Sequence, residues 1–453
     1  MTMSAYDFIK IEPVDGPAYR PQSIGEVDVH QSVLEDIALK ILYLSSSLSI
    51  LELSEKTKLS FEVAKEISFR LRTEMLCQVT GSNGYIPQIA ITSQGRTRAM
   101  ELLSQCHYTG PAPVSLENYV KQTRKQSLNN VEVHAEDVQR AFSHLVVDRE
   151  MLRQFGTALN SGSSIFIYGP PGTGKTTVAE TLSRVIAEDE VWIPYAVEVD
   201  GQIISVYDSA IHCRVEKQGP KDRDDRWVLC QRPAVMVGGE LTAEMLDLQY
   251  NPVAKYYVAP AQMKANNGVL IIDDFGRQRI RPEELLNRWV VPLDRRIDFL
   301  SLSGGKKIEV PFEMLVVFAS NMDPAELVDA CFLRRIQTKI KIGPVSDGQF
   351  CEIFRRVADE RQVPFDASIP ADLIDFIRGT LKQELRQCHP RDIVNQVLWA
   401  ARYDGRKPHM DHAAMAQAVE AYFLTPHCAS PKPVCACRPS TTSGRSASTA
   451  ESA

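Results

Sequence analysis

Eight residues, Gly169-Pro170-Pro171-Gly172-Thr173-Gly174-Lys175-Thr176, limit what this chain can fold into more than any other stretch. Before them stands Ser164-Ile-Phe-Ile-Tyr168, an apolar run with the length and branching of a buried strand. After them Val178, Leu182 and Ile186 recur along one helical face. A strand, a glycine-rich turn and a helix in that order let backbone N–H groups curl around phosphate, and the helix N-terminus adds its positive end. Lys175 is then the cation for the terminal phosphates, the Thr176 hydroxyl a ligand for Mg²⁺, and Gly169 through Thr177 the candidate nucleotide contacts.

The surrounding pattern agrees. From residue 131 to 345, short β-branched runs alternate with helical stretches, which predicts an α/β core with a parallel sheet between helices. Residues 346–424 read as four amphipathic helices carrying Phe350 and Phe354, Leu373 and Ile377, Ile393 and Val397, and Met415 and Val419. Residues 1–30 read as an irregular leader and 107–130 as an exposed linker. The Pro-, Ser- and Thr-rich residues 425–453 read as a disordered tail. Over residues 31–106, three helical runs are followed by Gly81-Ser-Asn-Gly84 between two strand patterns and a last helix from Ser93, an order that resembles a winged helix-turn-helix domain.

Four further elements follow the glycine-rich loop in a telling order. The run Gly268-Val-Leu-Ile-Ile delivers Asp273 and Asp274 at a strand's C-terminal end, where parallel sheets bind ligands. Met314-Leu-Val-Val-Phe-Ala-Ser320 ends at Asn321, which taken alone would be an ordinary turn residue ahead of Asp323-Pro324. Arg334 and Arg335 precede the strand pattern Thr338-Lys-Ile-Lys-Ile342, and Arg391 stands in His389-Pro390-Arg391-Asp392 at a helix start. Together these resemble the AAA+ ATPases, a superfamily of P-loop proteins, and in particular bacterial chaperone-like members with a winged-helix-like N-terminal region. The resemblance implies that Asp273 completes the Mg²⁺ shell and Asp274 activates water, although the superfamily's usual residue at that place is Glu, one methylene longer. It further implies that Asn321 touches the γ-phosphate or the water, and that Arg334 and Arg335 reach a neighbouring subunit's ATP, guanidinium being suited to phosphate. Arg391 would couple nucleotide state to the position of a helical lid. The implied assembly is a homo-oligomeric ring, six subunits being the superfamily's habit, that hydrolyses ATP to remodel a protein client not identifiable from the sequence.

Composition excludes some alternatives. Lys and Arg number 51 against 57 Asp and Glu, a net charge of −6, so no global field draws the chain to nucleic acid or anionic membrane. The third N-terminal helical run mixes Lys65, Arg70 and Arg72 with Glu62, Glu66 and Glu74, which favours protein recognition over DNA binding and keeps an ATP-gated DNA-binding regulator as the alternative. No run reaches the ~18 to 20 apolar residues of a membrane span. Ten scattered Cys and an N-terminus without a secretory pattern are expected of a cytoplasmic protein with reduced thiols, Cys428, Cys435 and Cys437 beside His427 included. Two hairpins are expected around Asp200-Gly201 and Ser303-Gly-Gly305, either as substrate-contacting loops or as plain sheet edges.

Overall fold

A computed structural model describes residues 19–216, 223–302 and 304–423. The chain divides into two compact units, residues 1–344 and 345–453.

The heart of the first unit is a five-stranded parallel sheet. Its strands are β1 (Ile165–Tyr168), β2 (Ala234–Val237), β3 (Val269–Ile272), β4 (Leu315–Ser320) and β5 (Thr338–Lys341). They lie in the order β2-β3-β4-β1-β5, every pairing parallel. Every residue of β3 and β4 is buried, whereas the edge strand β2 alternates exposed and buried positions. Central strands covered on both faces therefore read as unbroken apolar runs, and the edge reads with period two. Phe166, Ile272 and Phe318 face one layer with Trp289 and Phe275. Ile165, Ile167 and Val317 face the other, against Val178, Leu182 and Ile186 of helix Lys175–Ala187.

The N-terminal part carries helices Gln31–Ser45, Ile50–Thr57 and Phe61–Thr73, then antiparallel strands Cys77–Asn83 and Ile86–Ile91, then helix Ser93–Gln105. Serines begin the second and third helices: Ser49 accepts the Glu52 N–H in a capping box, and Ser60 accepts the Val63 N–H. The hairpin turns at Gly84, whose φ of 62° suits glycine.

Residues 107–130 are not an exposed linker. They supply strand Val114–Ser115 and helix Leu116–Lys125, which buries Tyr119, Gln122 and Thr123. That strand lies at the edge of a mixed sheet beside the hairpin of Ala196–Val199 and Gln202–Ser205. Asp200 and Gly201, with φ of 50° and 80°, make the hairpin's turn as their sequence predicts. The leader is likewise tied down where it is described. Arg226, 3% exposed, donates to Asp28 at 2.6 Å, to Asp224 at 2.7 Å and to the Pro113 carbonyl at 3.0 Å. Asp28 also accepts the Ser115 N–H and the Asn118 amide. Local periodicity cannot show this, because the partners stand 198 residues apart. Residues 1–18 and the tail from 424 lie outside the described residues.

The second unit packs helices Asp347–Arg361, Ile369–Asp375, Cys388–Tyr403 and His412–Tyr422 around Phe350, Phe354, Leu373, Ile393 and Val397. His389, 1% exposed, lies edge-on to the Tyr422 and Phe423 rings, and its Nδ1 accepts the Arg386 N–H at 3.4 Å. Burial, with the nearby Arg386 charge, pushes this imidazole down to about 4, against an ordinary 6.5. The unfolded chain therefore takes up a proton near pH 6.5 that the folded chain refuses until about pH 4. Stability of this unit should fall as pH drops through that window, and His389→Phe should flatten that part of the slope. Hydrogen exchange of helix Cys388–Tyr403 in both proteins across the window checks it; identical slopes would refute the assignment.

Candidate nucleotide site

Three neighbouring strand tips build the site, because β3, β4 and β1 lie side by side and in parallel. Their C-terminal ends deliver Asp273 and Asp274, Asn321, and Gly169 to one edge of the sheet. The loop needs its glycines for separate reasons. Gly169 has φ 146°, and a Cβ there would sit 2.0 Å from the Ile342 carbonyl oxygen. Gly172 and Gly174 have φ of 79° and 81°, the latter immediately ahead of helix Lys175–Ala187. Pro170 and Pro171 stiffen the bend between them, and the Thr173 hydroxyl donates to the Pro170 carbonyl at 2.9 Å. Thr177 follows within the helix, its side chain exposed and its carbonyl accepting the Thr181 hydroxyl at 2.7 Å.

Lys175 is 7% exposed and spans this loop, donating to the carbonyls of Gly169 at 3.0 Å and Pro170 at 2.8 Å. Burial pulls its ammonium below the ordinary lysine range, against the opposing pull of the Asp274 and Asp273 charges. The Thr176 hydroxyl lies 3.0 and 3.1 Å from the two Asp273 carboxylate oxygens. A hydroxyl and a carboxylate converging this way fit the oxygen preference of Mg²⁺, which binds through one or two protein oxygens plus phosphate and water. Among the described residues no group of three or more His, Cys, Asp or Glu could hold a metal by itself. The tail cysteines lie outside the described residues.

Asp274 adopts a left-handed backbone, φ 51°. Asp and Asn enter that region more readily than other non-glycine residues, which gives a physical reason for a short side chain here. Its carboxylate accepts the Asn321 amide at 3.0 Å. Two residues without any sequence motif hold the turn. Gln278 donates to the Asp273 carbonyl at 2.7 Å and accepts the Gly276 N–H at 2.9 Å, while the Ser320 hydroxyl donates to the Phe275 carbonyl at 2.7 Å. Only the polarity of Gln278 soon after the paired aspartates, and of Ser320 at the end of an apolar strand, hints at them.

The arginines stand elsewhere. Ser164, just before β1, donates to the Arg335 carbonyl at 3.1 Å, and Thr338 pairs with Ile165. Arg334 and Arg335 thus lie at the N-terminal edge of the sheet, the length of β1, roughly 13 Å at ~3.3 Å per residue, from the glycine-rich loop. Arg335 bonds Asp294 at 2.9 Å, and its guanidinium lies 5.9 Å from the Phe332 ring centre. Arg334 is exposed and makes no ion pair among the described residues. Arg391, in the second unit, lies in the first turn of helix Cys388–Tyr403 and bonds Asp392 at 3.1 Å.

Residues 346–421 match a family described as a domain of unknown function, DUF8689. No curated protein matches the chain. Among solved structures, NtrX from Brucella abortus is similar at 13% identity, covering 61% of this chain and 56% of NtrX, with a TM-score of 0.38. The chain thus spans little more than half of NtrX. Domain III of the Thermotoga maritima replication initiation protein DnaA is similar at 12% identity over 63% of this chain and 98% of that domain, TM-score 0.36. The Thermotoga maritima RuvB Holliday junction branch migration motor is similar at 14% identity over 66% of this chain and 72% of RuvB, TM-score 0.34.

Proposed function

We propose that this chain is an ATPase of the AAA+ kind, binding Mg²⁺-ATP on the glycine-rich loop and coupling its hydrolysis to remodelling of a protein partner. One observation carries the reading: Lys175, Thr176 and Asp273 converge at the loop, with the Asp274–Asn321 pair beside them on the next strand tips. On binding, Lys175 exchanges the two loop carbonyls for phosphate oxygens, which satisfy a buried ammonium better. Thr176 and Asp273 hold Mg²⁺, which when bound neutralises phosphate charge. Asp274 takes a proton from the attacking water as that oxygen bonds the γ-phosphorus and the bond to ADP breaks; Asn321 steers the carboxylate.

The arginine positions support a ring of like subunits. Arg334 and Arg335 cannot serve their own loop from the opposite sheet edge, but can serve a neighbour's. Because Arg335 is engaged by Asp294, Arg334 is the better candidate to reach across. Arg391 acts as the lid's reporter of nucleotide state.

Protein is a better partner than DNA for the winged-helix-like part. On helix Phe61–Thr73, Lys65 pairs with Glu62 and Arg70 with Glu66, while Arg72 lies over the exposed Phe69 ring. Those cations are already neutralised or stacked, and Phe69 and Tyr85 offer apolar surface instead. A cytoplasmic location belongs to the same proposal; among the described residues no helix is long and apolar enough to cross a membrane.

Lys175→Ala should abolish ATP binding in calorimetry; undiminished affinity would remove the loop from the mechanism. Arg334→Ala should bind ATP normally yet turn over slowly, and mixing it with Lys175→Ala should recover part of the activity, since mixed rings hold intact interfaces. Asp274→Asn should keep ATP bound and lose about 10² to 10⁴ in rate, the usual cost of losing a general base. Asp274→Glu should also lose rate, up to about 10²-fold, because the left-handed backbone suits the shorter residue and a ~1 Å misplacement is costly. Wild-type turnover in both would exclude Asp274.

A further inference from the structure

Away from the nucleotide site, a cavity of about 460 Å³ opens where helices Gln31–Ser45 and Ser93–Gln105 meet the hairpins of residues 196–205 and 249–258. Its size lies in the ~300 to 1,000 Å³ range of small-molecule sites. Lys40 lines it and is 3% exposed, a burial that lysine almost never shows unless paired. Among the described residues its ammonium donates to the Cys106 carbonyl at 3.1 Å and pairs with no carboxylate. A buried cation with two of its three N–H groups unanswered is expensive to keep.

The facing wall poses the complementary problem. Gln202, on the hairpin opposite, has a buried Oε1 that accepts no hydrogen bond. Asp36, one helical turn before Lys40, also lines the cavity, as do Tyr250, Tyr256 and Lys255, whose ammonium is already engaged by the Ser104 carbonyl. Tyr256 is held edge-on against Tyr108, with ring centres 5.5 Å apart. A buried cation with one hydrogen bond, a buried acceptor with none, a carboxylate and an aromatic wall therefore surround one space.

We propose that this cavity binds a small zwitterion of the amino-acid class. Its carboxylate would meet the Lys40 ammonium, its ammonium would meet Gln202 Oε1 and the Asp36 carboxylate, and its side chain would lie against Tyr250 and Tyr256. A purely anionic ligand would face Asp36, a purely cationic one would face Lys40, and an apolar one would leave Lys40 and Gln202 as they are. The walls come from two parts of the chain about 90 residues or more apart, so the bound molecule would fasten the N-terminal helices to the mixed sheet. None of the nucleotide-site residues lines the cavity, so its binding should need no nucleotide.

The test is calorimetry and thermal unfolding of the full chain, without nucleotide, against each proteinogenic L-amino acid, with succinate and putrescine as the purely anionic and purely cationic probes. At least one amino acid should bind and raise the melting temperature, more tightly than either probe. Lys40→Met, which removes the unanswered charge at similar volume, should melt higher than wild type without ligand and bind that amino acid about tenfold to a hundredfold more weakly. Gln202→Leu should weaken binding in the same direction, and it decides the matter should Lys40→Met fold poorly. Absence of any amino-acid binding, tighter binding of succinate or putrescine, or unchanged affinity in Gln202→Leu would overturn the proposal.

Discussion

The parallel pairing of β1 with β4 on one side and β5 on the other is the interaction on which the remainder of the molecule rests. Because β3, β4 and most of β1 are buried on both faces, their registers cannot slip by one residue without exchanging the two cores. Fixed registers make fixed tips. Asp273, Asp274, Asn321 and Gly169 gain their common edge from that pairing, and the Asn321–Asp274 hydrogen bond forms within it. Gly169 shows how tight the arrangement is, since its place beside the Ile342 carbonyl admits no side chain at all.

The same arrangement sets the electrostatics. Two carboxylates share the edge with one buried ammonium, so the protein alone contributes a net negative charge there. A polyphosphate adds more, and Coulomb repulsion in a partly dry site would oppose it. Under the proposed function, a divalent cation between Thr176 and Asp273 would answer that charge, and an arginine from a neighbouring subunit would serve the same balance once charge builds on the transferred phosphate.

Where the sequence speaks through local pattern, it speaks clearly. The glycine-rich loop, the fully apolar β3 and β4, the Asp200-Gly201 turn and the helix faces carrying Phe354 or Val397 each follow from residues close together in the chain. Burial on one face or on two leaves a local signature, and so does a turn that demands positive φ. What stayed hidden depends on distant partners. Helix Leu116–Lys125 spaces Leu116, Tyr119 and Thr123 along one face, yet its Lys and Arg content and the prolines before it make the segment look solvated. The Arg226–Asp28 and Arg335–Asp294 pairs join residues 198 and 41 apart, while the Gln278 bridge, only five residues long, belongs to no periodic pattern. Asp274 is an intermediate case: the sequence shows the substitution, and only the backbone shows why Asp suits the position.

The buried Arg226 cluster also dictates an order of events during synthesis. Asp28 can neutralise its partner only after residue 226 has been made, 198 residues later. At the ribosome's pace of about 5–20 residues per second, that is a wait of roughly 10 to 40 s. The N-terminal helices have short-range contacts and can form early, and Asp28 can already accept from Ser115 and Asn118, but it cannot meet Arg226, nor strand Val114–Ser115 its neighbour Ala196–Val199, until those residues emerge. A nascent chain of this protein therefore carries N-terminal helices beside a sheet edge still open for roughly 4 to 16 s at that pace, the interval in which a holdase or a neighbouring nascent chain has its best access.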